Sequence, residues 1–172
     1  RPDHERGRRP AFRVVGLRSA ATVLDGRDEV IAAVGQHLGH SSWLSIGEDR
    51  VRLFAEATGD HRGADAPGEH VRTGSRGRPM IQDHLLLSLS NLFLPEILEV
   101  RGFTAGINTG TDEVRFVSAA PVGSTVRAAA EMLDATELPD GNGVDTVVGI
   151  VIEVEGAAEP VCSVRSRSRW LS

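Results

Sequence analysis

The chain has a single cysteine, Cys162, in 172 residues, so no internal disulfide can form. A reducing compartment suits that usage, and a cytoplasmic protein is expected. Cys162 lies in a strand-like run with no histidine close to it in sequence, which marks it as core rather than as a nucleophile. Lysine is absent: all nineteen basic residues are arginine. Schiff-base chemistry on a lysine is therefore excluded. No run of eighteen apolar residues exists, so no membrane-spanning helix is expected. The first twenty residues also lack the apolar core that a cleavable signal peptide needs. A net charge of −5 leaves no basic surplus for general nucleic-acid binding. No two histidines stand at i, i+4 and none is linked to a cysteine pair, so neither a metal nor a cofactor is expected.

What is present bounds the chain to one domain with an arm. Arg1, Arg6, Arg8, Arg9, Arg13 and Arg18 face only Asp3 and Glu5. Residues 1–27 read as a basic N-terminal arm, partly disordered or loosely packed, and residues 28–172 as the folded domain. An arm that packs on a partner protein is the alternative.

Asp28 to Leu38 reads as a short helix stopped by Gly39, with Val30, Ile31, Val34 and Leu38 on one side. Ser42 to Ile46 is strand-like. Ser45-Ile46-Gly47-Glu48 has capping-box spacing, and predicts a helix from about Glu48 to Thr58 that buries Val51, Phe54 and Ala57 or Thr58. Gly59 suits its C-terminal cap. From Gly59 to Pro79 there is no apolar periodicity, only glycine and proline punctuation, as in a functional or disordered loop. Met80 to Leu98 then carries the strongest helical pattern, apolar nearly all round, so other elements should wrap it.

Strand-like runs follow at about Phe103–Thr109, Glu113–Val117, Ser124–Leu138, Val144–Glu155 and Pro160–Trp170. Pro139-Asp140-Gly141-Asn142-Gly143 is a hairpin turn, and Val148, Ile150, Ile152 and Val154 form one buried strand face. The order implies an α+β fold, an antiparallel sheet curled around a long central helix. Arg165, Arg167 and Arg169 alternate on the last strand, as a solvated face or as a grip for phosphates or an acidic carrier.

Three segments carry a family resemblance, which runs from about Asp28 to Trp170. They are Phe54-Ala55-Glu56-Ala57-Thr58-Gly59-Asp60, Gly106-Ile107-Asn108-Thr109-Gly110, and Val114-Arg115-Phe116-Val117-Ser118-Ala119-Ala120-Pro121-Val122-Gly123-Ser124. In order and spacing they resemble the MaoC-like (R)-specific enoyl-CoA hydratases and dehydratases, nearest to the nodulation-protein-N-like subgroup. The resemblance implies a single hotdog fold and a homodimer with a pocket shared between subunits. It also implies a substrate bound to CoA or to an acyl carrier protein. Asp60 falls on the family's catalytic aspartate.

The family pattern then departs. Its histidine, five residues after the aspartate, is Asp65 here; its Ala-His-Gly segment, whose glycine amide helps polarise the thioester carbonyl, falls on Ile81-Gln82-Asp83; and its Gly-Val-Asn-Tyr-Gly tyrosine is Thr109. Asp60 and Asp65 are the catalytic candidates. His61, Gln82, Asp83, His84 and Asn108 are supporting candidates, and Met80, Ile81 and Thr109 are substrate-binding candidates.

Three functions are compatible with those residues. One is a divergent acyl-thioester hydratase or dehydratase using Asp60. Another is a repurposed hotdog enzyme of secondary metabolism, in which Asp60 and Asp65 share a proton in a dry pocket and drive a cyclisation or other acid/base step. The last is a non-catalytic acyl-binding or partner-stabilising subunit. Asp83 counts against ordinary hydration, since a carboxylate there repels an enolate.

Overall fold

This computed structural model describes residues 14–15, 20–60 and 79–172. The order is β1 (Val14–Val15), β2 (Thr22–Asp25), α1 (Gly26–Ala32), β3 (His37–His40), β4 (Trp43–Ser45), α2 (Glu48–Thr58), α3 (Asp83–Ser88), α4 (Ser90–Ile97) and β5 (Leu98–Arg101). The strands β6 (Ala105–Phe116), β7 (Thr125–Glu137), β8 (Gly143–Val154) and β9 (Cys162–Leu171) complete it. Among the described residues, seven strands form one antiparallel sheet in the order β1-β4-β7-β8-β9-β6, with β3 also on β7. This is the α+β hotdog architecture, with α3 and α4 lying across the inner face of the sheet.

Residue choice explains the sheet. Along β7, Val126, Ala128, Ala130 and Met132 are buried, and along β8 Val148, Ile150 and Ile152 oppose them. Every second residue is apolar and faces the helices, as a one-sided sheet requires. Phe93 of α4 is 1% exposed at the centre of this core. Phe93→Ala should therefore cost about 3–5 kcal/mol of stability, read as a shifted denaturant midpoint with an unchanged slope.

Several sequence expectations are corrected. The helix expected over Asp28–Leu38 is α1 followed by β3; Gly35 (φ +79°) turns the chain and its N–H donates to the Met132 carbonyl at 2.8 Å. Leu38 is thus buried from a strand, not from a helix. The capping box does not form: Gly47 is the N-cap of α2, with no side-chain cap bond. Ser45 instead ends β4, paired with Thr125. Val51 and Ala55 are the buried residues of α2, with Phe54 half-buried. The central helix begins at Asp83, not Met80, and breaks at Leu89. It is one-sided: Leu85, Leu86, Leu89, Phe93 and Ile97 are buried, whereas Leu92 is 42% exposed. The strand β2 pairs in parallel with β5 and buries Leu24.

Candidate active site

The candidate residues stand at two helix boundaries, the end of α2 and the start of α3. Gly59 takes the left-handed conformation (φ +71°) that ends a helix at low strain, and it turns the chain so that Asp60 follows directly. Thr58 Oγ1 donates to the Phe54 carbonyl at 2.7 Å and accepts from the Asp60 N–H at 3.3 Å. Asp60 is half-buried. His61 and Asp65 lie outside the described residues.

The approach to α3 is held by strand-like bonds. Met80 bridges to Pro121, the Ile81 N–H donates to the Ala120 carbonyl at 2.8 Å, and the Val122 N–H donates to the Pro79 carbonyl at 2.9 Å. These pairings explain why the helix starts three residues late. Ile81 is buried in the core and Met80 is half-exposed.

Gln82 is next, 8% exposed, and its Nε2 donates to the Val51 carbonyl of α2 at 3.2 Å. Asp83 opens α3 half-buried, and exposed His84 rests its ring 5.3 Å from that of Phe116.

Below them, burial and then the nearby Asp83 carboxylate push the Cys162 thiol up to about 11. Cys162 is fully buried, as its strand position implied. In the native protein it should react with a thiol reagent at mildly alkaline pH roughly 100-fold more slowly than free cysteine, and at the ordinary rate once unfolded in urea.

The other candidates sit elsewhere. Asn108 and Thr109 lie on exposed β6, where the register to β9 slips between Asn108 and Gly110. Asn108 Oδ1 accepts from the Gly110 N–H at 3.0 Å, so its side chain fastens the bulge. Eight residues separate Asn108 from Phe116, roughly 25 Å along a strand, so one chain does not bring Asn108 and Thr109 to His84. A groove of about 310 Å³ lies over Ala129, Gly149 and Val151 on the outer face of the sheet and touches none of the candidates.

The arginine row on β9 is matched by carboxylates. Arg165 pairs with Glu113 at 2.8 Å, Arg167 with Asp112, and Arg169 binds both oxygens of Asp145 at 2.7 Å. The Arg169 bonds hold the Asp145 carboxyl below its ordinary range. These partly exposed pairs make the row a solvated strand face.

No protein-family profile matches the chain. A MaoC-like dehydratase structure from Rhodospirillum rubrum superposes with a TM-score of 0.63 at 14% identity, covering 81% of this chain and 92% of that one. That likeness speaks for the fold. The curated 3-hydroxyacyl-thioester dehydratase Z of Mycobacterium tuberculosis is 34% identical over 144 residues, 84% of this chain and 95% of that protein. The chain belongs to the MaoC-like dehydratase family. Nodulation protein N of Rhizobium leguminosarum, 31% identical over 146 residues, matches 84% of this chain and 88% of its own length. This MaoC-like chain has Asp60 directly after the capped helix and carries Ile81-Gln82-Asp83 at the start of the central one.

Among the described residues, no group of three or more histidine, cysteine or acidic side chains has metal-binding geometry. No helix among them is long and apolar enough to cross a membrane. The candidate residues carry carboxylates, an amide and an imidazole, side chains able to do general acid/base work.

Proposed function

We propose that this chain is a hydro-lyase acting on acyl thioesters, interconverting a 3-hydroxyacyl thioester and its 2-enoyl counterpart, with Asp60 as the acid/base. The observation that carries the reading is the 34% identity to a 3-hydroxyacyl-thioester dehydratase over nearly the whole of that relative. Asp60 on the capped end of α2 supports it, because a carboxylate at a fixed helix end is held in place for proton transfer. In the hydration direction Asp60 takes a proton from the water whose hydroxyl adds at C3 and delivers it to C2. In the dehydration direction the same carboxylate takes the C2 proton and gives it to the hydroxyl, which departs as water. The carrier is CoA or an acyl carrier protein.

A homodimer is part of the proposal. Asn108 and Thr109 lie in the body of β6 while His84 rests on Phe116 at its end, and two copies paired edge to edge would bring these positions together. The test is turnover of crotonyl-CoA and of (R)-3-hydroxybutyryl-CoA by the purified protein, followed by enoyl-thioester absorbance. Turnover in both directions supports the reading. No turnover of either, or of the same acyl groups on a carrier protein, overturns it.

A further inference from the structure

Gln82 stands at a junction that family membership does not explain. Its amide orientation is fixed by chemistry: the Val51 carbonyl can only accept, so the nitrogen must face it and the oxygen must face away. That oxygen, Oε1, is buried with no hydrogen-bond partner. An orphaned buried acceptor works against folding, and a side chain that keeps one needs a reason. The reason lies in α2. Its start is secured, since the Ile46 N–H donates to the Ser124 carbonyl and the Gly123 N–H to the Ile46 carbonyl, at 2.9 and 2.7 Å. Among the described residues its far end past Ala55 has less hold: Ala57, Thr58 and Gly59 are exposed, and Arg52 is spent on Asp49 and Glu56 of the same helix.

We infer that Gln82 is a positioning residue. Its Nε2 clamps α2 to the start of the central helix and thereby sets where Asp60 stands. Nine residues separate Val51 from Asp60, a lever of roughly 13 Å at about 1.5 Å per residue. A tilt of about 5° at the clamp moves the far end by roughly 1 Å, and displacement of that size can cost about 100-fold in rate. The inference rests on the proposed function for its rate arm, and on the fold alone for its structural arm.

The two arms are separable in Gln82→Met. Methionine fills a similar volume, removes the orphaned oxygen and cannot donate. Three measurements on the purified variant decide: thermal midpoint, kcat and KM with crotonyl-CoA, and amide exchange along α2. The expected result is a midpoint within about 3 °C of wild type or above it, kcat down at least ~10-fold with KM within about threefold, and exchange from Leu53 to Thr58 at least ~10-fold faster. Unchanged exchange overturns the clamp whether or not the wild type turns over a thioester. Faster exchange with unchanged kcat overturns the positioning of Asp60. A wild type inactive on every thioester overturns the proposed function instead, while faster α2 exchange in the variant still upholds the clamp. Gln82→Asn, one methylene shorter, keeps the amide but cannot reach Val51. It should match methionine in exchange and rate, and a wild-type rate in it also overturns the inference.

Discussion

Asp60→Asn should lower thioester turnover by roughly 100- to 10,000-fold with little change in KM. The substitution keeps size and shape, so the cap at Gly59 and the backbone bond to Thr58 Oγ1 are retained. Only the exchange of a proton is removed, and a group that acts on the proton in transit affects kcat and kcat/KM alike. The thermal midpoint checks that interpretation: it should hold within about 3 °C, because a half-buried side chain at a helix end contributes little to the core. Full activity in Asp60→Asn would remove Asp60 from the chemistry. Asp65→Asn, assayed beside it, separates two readings. A comparable loss points to a carboxylate pair sharing one proton, whereas a small loss leaves Asp60 to act with water and fixed dipoles.

What the sequence discloses here depends on the range of the interaction. Gly59 as a cap, the hairpin at Pro139–Gly143 and the alternating face of β8 are local, and the structure has each where the residues placed it. Leu38 misleads because its local pattern belongs to a helix and pairing with β7 draws it into a strand, while Ser45 keeps its expected strand but leaves the cap of α2 to Gly47. The late start of the central helix has the same origin, in bonds from Pro79 and Ile81 to residues some forty positions on. Asn108 is a candidate because its segment resembles a family motif, and the structure adds that its oxygen fastens a bulge two residues away. The Gln82–Val51 bond spans 31 positions and joins a side chain to a carbonyl, so no motif could reveal it. Patterns of type and spacing find faces and turns. They do not find which backbone group a buried amide reaches.

Ile107→Lys combined with Val114→Lys should turn a dimer of twice 18.4 kDa into a monomer in solution, and should remove at least ~100-fold of the activity. The reason lies in β6. It is the last strand in the sheet, and among the described residues only β9 pairs with it. Twelve residues long, it exposes Ile107 at 47% and also Val114 and Phe116, with Val117 at 49% just beyond its end. An edge that exposes these apolar side chains beside the charged Asp112, Glu113 and Arg115 can take another strand, and further charge on such an edge opposes that pairing. Two lysines supply such charges and repel their counterparts across a two-fold axis. The loss of activity follows from geometry. Thr109 is the fifth residue of the strand and Phe116, with His84 against it, the last. In one chain those two positions stay roughly 23 Å apart. In an antiparallel pair of edges, Thr109 of one copy can approach Phe116 of the other. Sedimentation and turnover measured on the same sample test both halves. A monomeric wild type would overturn the dimer, and a monomeric but fully active variant would show that each chain carries a complete site.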